Sequence, residues 1–131
     1  MTDLTSYYQT IQTQGNLRTL QHAQRWSMAV LKTLGFNLDG RTKKRLAKAL
    51  PQELATNLTR VFWLAHFRNG NLPVHDFQNQ VSRRSGNSDP NFAKTPILAV
   101  FSGLKAMIDK DMQTAVSKTL SPEVRALWDK A

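Results

Sequence analysis

Displaced by 70 positions, the chain falls into register with itself. Ala23 meets Ala93, Ala29 meets Ala99, Val30 meets Val100, Leu34 meets Leu104, Asp39 meets Asp109, Lys48 meets Lys118, Leu50 meets Leu120 and Glu53 meets Glu123, with no gap. Apolar character persists where identity does not, in Leu4 and Val74, Tyr7 and Phe77, Ile11 and Val81, Met28 and Leu98, Leu31 and Phe101, Leu38 and Ile108, Leu46 and Val116, Leu54 and Val124, and Leu58 and Trp128. Inward-facing sites of a duplicated unit must stay apolar while its surface drifts. A repeat therefore limits the possible folds more than any single motif does. It defines two copies, residues 4–58 and 74–128, within one domain spanning 1–131.

Within each copy the apolar spacing is helical, as in Leu20, Ala23, Ser27, Val30, Leu31 and Leu34, and again in Met112, Ala115, Val116 and Leu120. Such spacing gathers these side chains on one helix face, and no strand-like alternation competes with it. Thr19 and its counterpart Asp89, and the pair Asp39 and Asp109, carry side-chain oxygens suited to accept from the free amides of a first helical turn. Each copy closes on a proline-led helix, Leu50-Pro51-Gln52-Glu53-Leu54 and Leu120-Ser121-Pro122-Glu123-Val124, with the prolines one position out of step. Proline suits the first helical position and the glutamate suits the positive end of the helix dipole. Gly15 and Gly86 read as stops after the first helix of each copy.

These signals predict helices near 3–14, 19–35, 40–50, 52–68, 73–85, 90–107, 110–120 and 122–130, with a turn at Asn69-Gly70-Asn71. Pro96 falls inside the sixth and either kinks it or moves its start to Thr95 as cap. The expected fold is all-α, a compact bundle of about eight helices made of two tandem four-helix units in pseudo-two-fold relation.

A chain of 131 residues can bury such a core without disulfides or a structural metal. The absence of cysteine removes disulfides, thiolate zinc sites and thiol catalysis together. Met1 to Gln14 lacks the pattern of a secretory signal, and the longest apolar stretch, Val61 to Phe67, is interrupted by His66; a cytoplasmic protein without a transmembrane segment is expected. The net charge of +9 favours an anionic partner. It is unevenly spread: residues 1–70 hold ten basic and three acidic residues, a balance of +7.

The segments Asp76-Phe77-Gln78-Asn79-Gln80-Val81, Ala93 through Leu104, and Lys118-Thr119-Leu120-Ser121-Pro122-Glu123-Val124-Arg125-Ala126-Leu127-Trp128 resemble the bacterial family called domain of unknown function 2267. In the first copy, Lys48-Ala49-Leu50-Pro51-Gln52-Glu53-Leu54 is similar to that family's leucine-proline helix start. The resemblance spans nearly the whole chain and is stronger in the second half, since Asn57-Leu58 replaces the closing Leu127-Trp128 and Trp26 stands opposite Pro96. It implies a compact helical domain built on an internal duplication, and it implies no reaction.

The sharpest local feature is basic. Arg41, Lys44, Arg45 and Lys48 recur along one helical stripe, with Lys43 at its flank and Leu46, Ala49 and Leu50 opposite. A stripe of this kind can lie along phosphates. The matching positions Asp111, Thr114, Ala115 and Lys118 keep a single basic residue, so the fold does not require the stripe; Arg83 and Arg84 are candidates to extend it. Trp26, Trp63 and Trp128 sit in apolar helical patterns and read as core. The run from Val61 to Phe67 reads as a central buried helix, with Trp63 and Phe67 as the alternative contact residues of a partner or homodimer surface.

His22, His66 and His75 have no spacing that would hold a metal. No glycine-rich phosphate loop, Gly-x-Ser-x-Gly elbow or carboxylate pair is present, so no catalytic residue, metal or cofactor is assigned. The leading expectation is a non-enzymatic helical module that binds a protein partner or its own twin. The second is nucleic-acid or anionic-surface binding through Arg41, Lys43, Lys44, Arg45 and Lys48, and an enzyme ranks last.

Overall fold

In the computed structural model the described residues are 4–60, 71–87 and 89–131. Among them are eight helices and no strand: α1 (Thr5–Gln14), α2 (Leu20–Asn37), α3 (Gly40–Ala49), α4 (Gln52–Thr59), α5 (Val74–Ser85), α6 (Lys94–Lys105), α7 (Lys110–Thr119) and α8 (Pro122–Lys130). The second half of the predicted fourth helix and the predicted turn at Asn69 and Gly70 lie outside the described residues. No helix among those described is long and apolar enough to cross a membrane.

Three of the four expected caps form. Thr19 Oγ1 accepts from the His22 amide at 3.1 Å, Asp39 Oδ1 from Thr42 at 2.7 Å and Asp109 Oδ1 from Met112 at 2.8 Å. Each satisfies an amide that the helix itself leaves open, worth about 1 kcal/mol. Asp89 does something else. Its carboxylate accepts from Asn91 at 3.0 Å and its carbonyl from Phe92 at 3.2 Å, so it closes a turn, and α6 begins only after Ala93. Pro96 then falls in the first turn, where its missing N–H has no intrahelical partner to lose, and neither a kink nor a Thr95 cap is needed.

The prolines divide likewise. Pro122 opens α8 as its first residue, whereas Pro51 stands one position outside α4 as its cap. Ser121 caps α8 instead, accepting from Val124 at 3.4 Å while donating to the Leu72 carbonyl at 2.7 Å.

Both helices stop at the expected glycines, Gly15 and Gly86, but the two caps differ in conformation. Gly86 ends α5 in the left-handed region, with φ +86°. The matching left-handed residue after α1 is Asn16, φ +56°, while Gly15 keeps a right-handed φ of −82°. The bonds agree: Asn16 and Leu17 donate to Thr13 and Gln12, as Gly86 and Asn87 donate to Arg83 and Ser82. Asn16 fills the place because asparagine, next to glycine, tolerates this conformation best.

In the first four helices, α2 packs on α1 and α4, and α3 packs on α4; in the last four, α6 packs on α5 and α8, and α7 on α8. Across the chain α1 lies on α6 and α5 on α2, while α2 touches α6 and α3 touches α7. Positions 70 apart share burial: Val30 and Val100, Leu50 and Leu120, Leu46 and Val116, and Leu58 and Trp128 are all in the core. Trp26 is buried as well. Phe101 packs between Phe77 and Trp128, tilted against the first and edge-on to the second, at 5.9 and 5.1 Å between ring centres. Each such ring taken out of water contributes on the order of 2 kcal/mol.

Candidate functional site

At 100° per residue, Arg41, Lys44, Arg45 and Lys48 project within one sector of α3. All four are exposed, and none makes a hydrogen bond or ion pair with another described residue. Thr42 and Leu46 on the other side are buried against α4 and α7. Lys43 is set apart from the stripe. It lies about 200° around the helix from Arg41 and is half-buried, so it does not flank the other four. Ala49 is exposed rather than on the buried face, which Leu46 and Leu50 carry.

From Arg41 to Lys48 the stripe runs about 10 Å along the helix axis at 1.5 Å per residue. Over that length a nucleic-acid duplex presents about six phosphate charges. The corresponding surface of α7 carries Asp111, Thr114, Ala115 and Lys118, on a helix that spans the matching ten residues and has the same kind of aspartate cap.

Three basic residues elsewhere, Arg84, Lys105 and Arg125, are tied into the structure. Arg84 Nη1 donates to Thr33 Oγ1 at 2.8 Å, and its guanidinium stacks 4.6 Å from the Phe36 ring centre. Its burial lowers the guanidinium pKa. Arg84 therefore joins α5 to α2 and does not extend the stripe, while Arg83 is exposed. Lys105 Nζ donates to the Trp128 carbonyl at 2.9 Å, and Arg125 Nε to that of Ser117 at 2.8 Å. Both complete the open carbonyl ends of helices. The shallow hollow of about 350 Å³ between them is bordered by groups that largely bond one another, Ser117 to Asp129 at 2.9 Å among them.

A deeper cleft of about 440 Å³ opens where α1 and α5 end beside the start of α2. Arg18, His22, Arg25, Trp26 and Phe92 border it, a grouping the sequence reading passed over. His22, Arg25 and Trp26 share one face of α2 at spacings of three and four, a signal that was there to be read; Phe92 reaches them only through the fold. Trp63 and Phe67 lie outside the described residues. No group of three His, Cys, Asp or Glu able to hold a metal occurs among those described.

Fold and surface together define the class: an all-helical bundle, without strands among its described residues, that carries an exposed basic stripe on α3. Residues 5–127 match the family described as "Uncharacterized conserved protein (DUF2267)", and the chain belongs to that family. Among curated proteins none matches it.

Proposed function

We propose that this chain is one domain built from a duplicated helical unit, residues 4–58 and 74–128, and that it binds the phosphate backbone of nucleic acid along α3. The observation that carries the reading is the contrast between α3 and α7. Both have the same length, the same cap and a buried inner face, yet only α3 bears Arg41, Lys44, Arg45 and Lys48. Four exposed cations without partners among the described residues repel one another, and a polyanion relieves that repulsion by releasing its own counterions. Contacts to backbone phosphates position a protein without reading bases, so the expected binding is indifferent to sequence.

The test is duplex binding followed by fluorescence anisotropy at several salt concentrations. Four phosphate contacts give a slope of log affinity against log salt of about −3.6. Changing Arg41, Lys44, Arg45 and Lys48 to glutamine should bring that slope close to zero and abolish binding at physiological salt. An unchanged slope would remove α3 from the interface. Anionic lipid vesicles form the control, and preferential retention on them would redirect the proposal to a membrane surface.

A protein-interaction module, acting on a partner or its own twin, stands second. Among the described residues the exposed large apolar side chains are Leu20 and Phe92. Surface apolar residues in such numbers are ordinary. Sedimentation over a range of concentrations discriminates, since self-association gives a concentration-dependent mass.

A further inference from the structure

The cleft between the ends of α1 and α5 shares no residue with α3 and gathers basic and aromatic side chains in one hollow. At about 440 Å³ it falls within the usual range for small-molecule sites. Among the described residues no acidic side chain borders it, whereas Arg18, His22 and Arg25 do. Arg18 and Arg25 are exposed, and their guanidiniums bond to no other described residue. The helix ends around them are already closed, α1 through the Leu17 to Gln12 bond, α5 through the Asn87 to Ser82 bond and α2 through Thr19. These arginines therefore complete no helix terminus by hydrogen bonding.

Part of the lining is aromatic. Phe92 is 43 % exposed although its ring rests 5.8 Å from that of Trp26, so one partner fixes it while much of its surface stays open. Burying that surface is favourable, and an arginine beside a ring suits a ligand both flat and negatively charged. The 70-residue register adds a second argument. Asn16 and Gly86 occupy matching places and both border the cleft, as do His22 and Phe92. At the position matching Arg25 stands Thr95. The frame is thus alike on the two sides while the chemistry differs, with cations from one half and the open ring from the other.

We propose that this cleft binds a small aromatic anion, its ring against Phe92 and its carboxylate or phosphate between Arg18 and Arg25. The test is a titration followed by amide chemical shifts. The probes are benzoate, phenyl phosphate and adenosine monophosphate, with inorganic phosphate and adenosine as single-feature controls. Saturable shifts clustered at His22, Trp26 and Phe92 are expected with at least one ring-bearing anion. Neither control should saturate below a tenfold higher concentration. The identity of the best probe distinguishes a carboxylate from a phosphate ligand.

Arg18→Gln with Arg25→Gln should weaken binding at least tenfold, and Phe92→Ala should weaken it independently. The arginines are exposed, so their replacement leaves the fold intact, as an unchanged melting temperature would show. The glutamine variant of α3 should bind as the native protein does, which separates this site from the duplex surface. No saturable shift at ~10 mM ligand, where binding is weaker than the ~4 kcal/mol of a 1 mM complex, equal response to inorganic phosphate, or full binding by the double arginine variant would overturn the proposal.

Discussion

Two tyrosines side by side on α1 show how a single hydroxyl answers to its surroundings. Tyr7 is buried with its oxygen 2.7 Å from Ser27 Oγ, and Tyr8 donates to Glu53 Oε1 at 3.1 Å. Burial raises the Tyr7 pKa, and burial followed by the Glu53 charge raises that of Tyr8, both above the ordinary 10.0. A group whose folded pKa is raised contributes fully below its unfolded value and loses that contribution as pH climbs toward the folded one. Stability should therefore hold to about pH 10 and fall steadily above it. Replacing Tyr7 by Phe together with Ser27 by Ala removes one titrating group without orphaning the other hydroxyl. Urea midpoints of this variant should decline less between pH 10 and 11 than those of the native chain; an identical decline would contradict the assignment.

The crossing of α1 over α6 depends on one missing side chain. A Cβ at Gly103 would lie 2.8 Å from Tyr7 Cε1, nearer than real contacts allow, and the buried Tyr7 ring has little room to yield. Gly103→Ala should cost about 1–3 kcal/mol, as overpacking does, read as a lower urea midpoint with an unchanged slope. A midpoint equal to the native one would show that the helices can part. Gly103 shows no such need in sequence, because its neighbour comes from a helix 96 positions earlier. The helices themselves were largely legible, since Thr19, Asp39 and Asp109 are caps that act locally. Where local signals competed, reading failed. Asp89 gave its oxygen to a turn, which delayed α6, and the left-handed residue after α1 is Asn16, one position beyond the Gly15 stop. Of the basic stripe, the helical angle alone could have separated Lys43 from Arg41, Lys44, Arg45 and Lys48. The inward turn of Arg84 could not be foreseen, because Thr33 and Phe36 meet it only in the folded chain.

Across the whole molecule, the core is alike at positions 70 apart while the surface is not. Val30 and Val100 are equally hidden, and so are Leu46 and Val116, yet the outer faces of α3 and α7 differ in charge. Buried positions constrain each other through packing, whereas exposed ones answer only to what they meet. Exposed cations without partners among the described residues are grouped on α3 and at the cleft where α1 and α5 end. Amide chemical shifts recorded while a short duplex is added to isotope-labelled protein give the most direct test. Perturbations should gather at Arg41, Lys44, Arg45 and Lys48, fade as salt rises, and spare Asp111, Thr114 and Ala115 on α7. Shifts centred on α7, or none along α3 at low salt, would contradict the account.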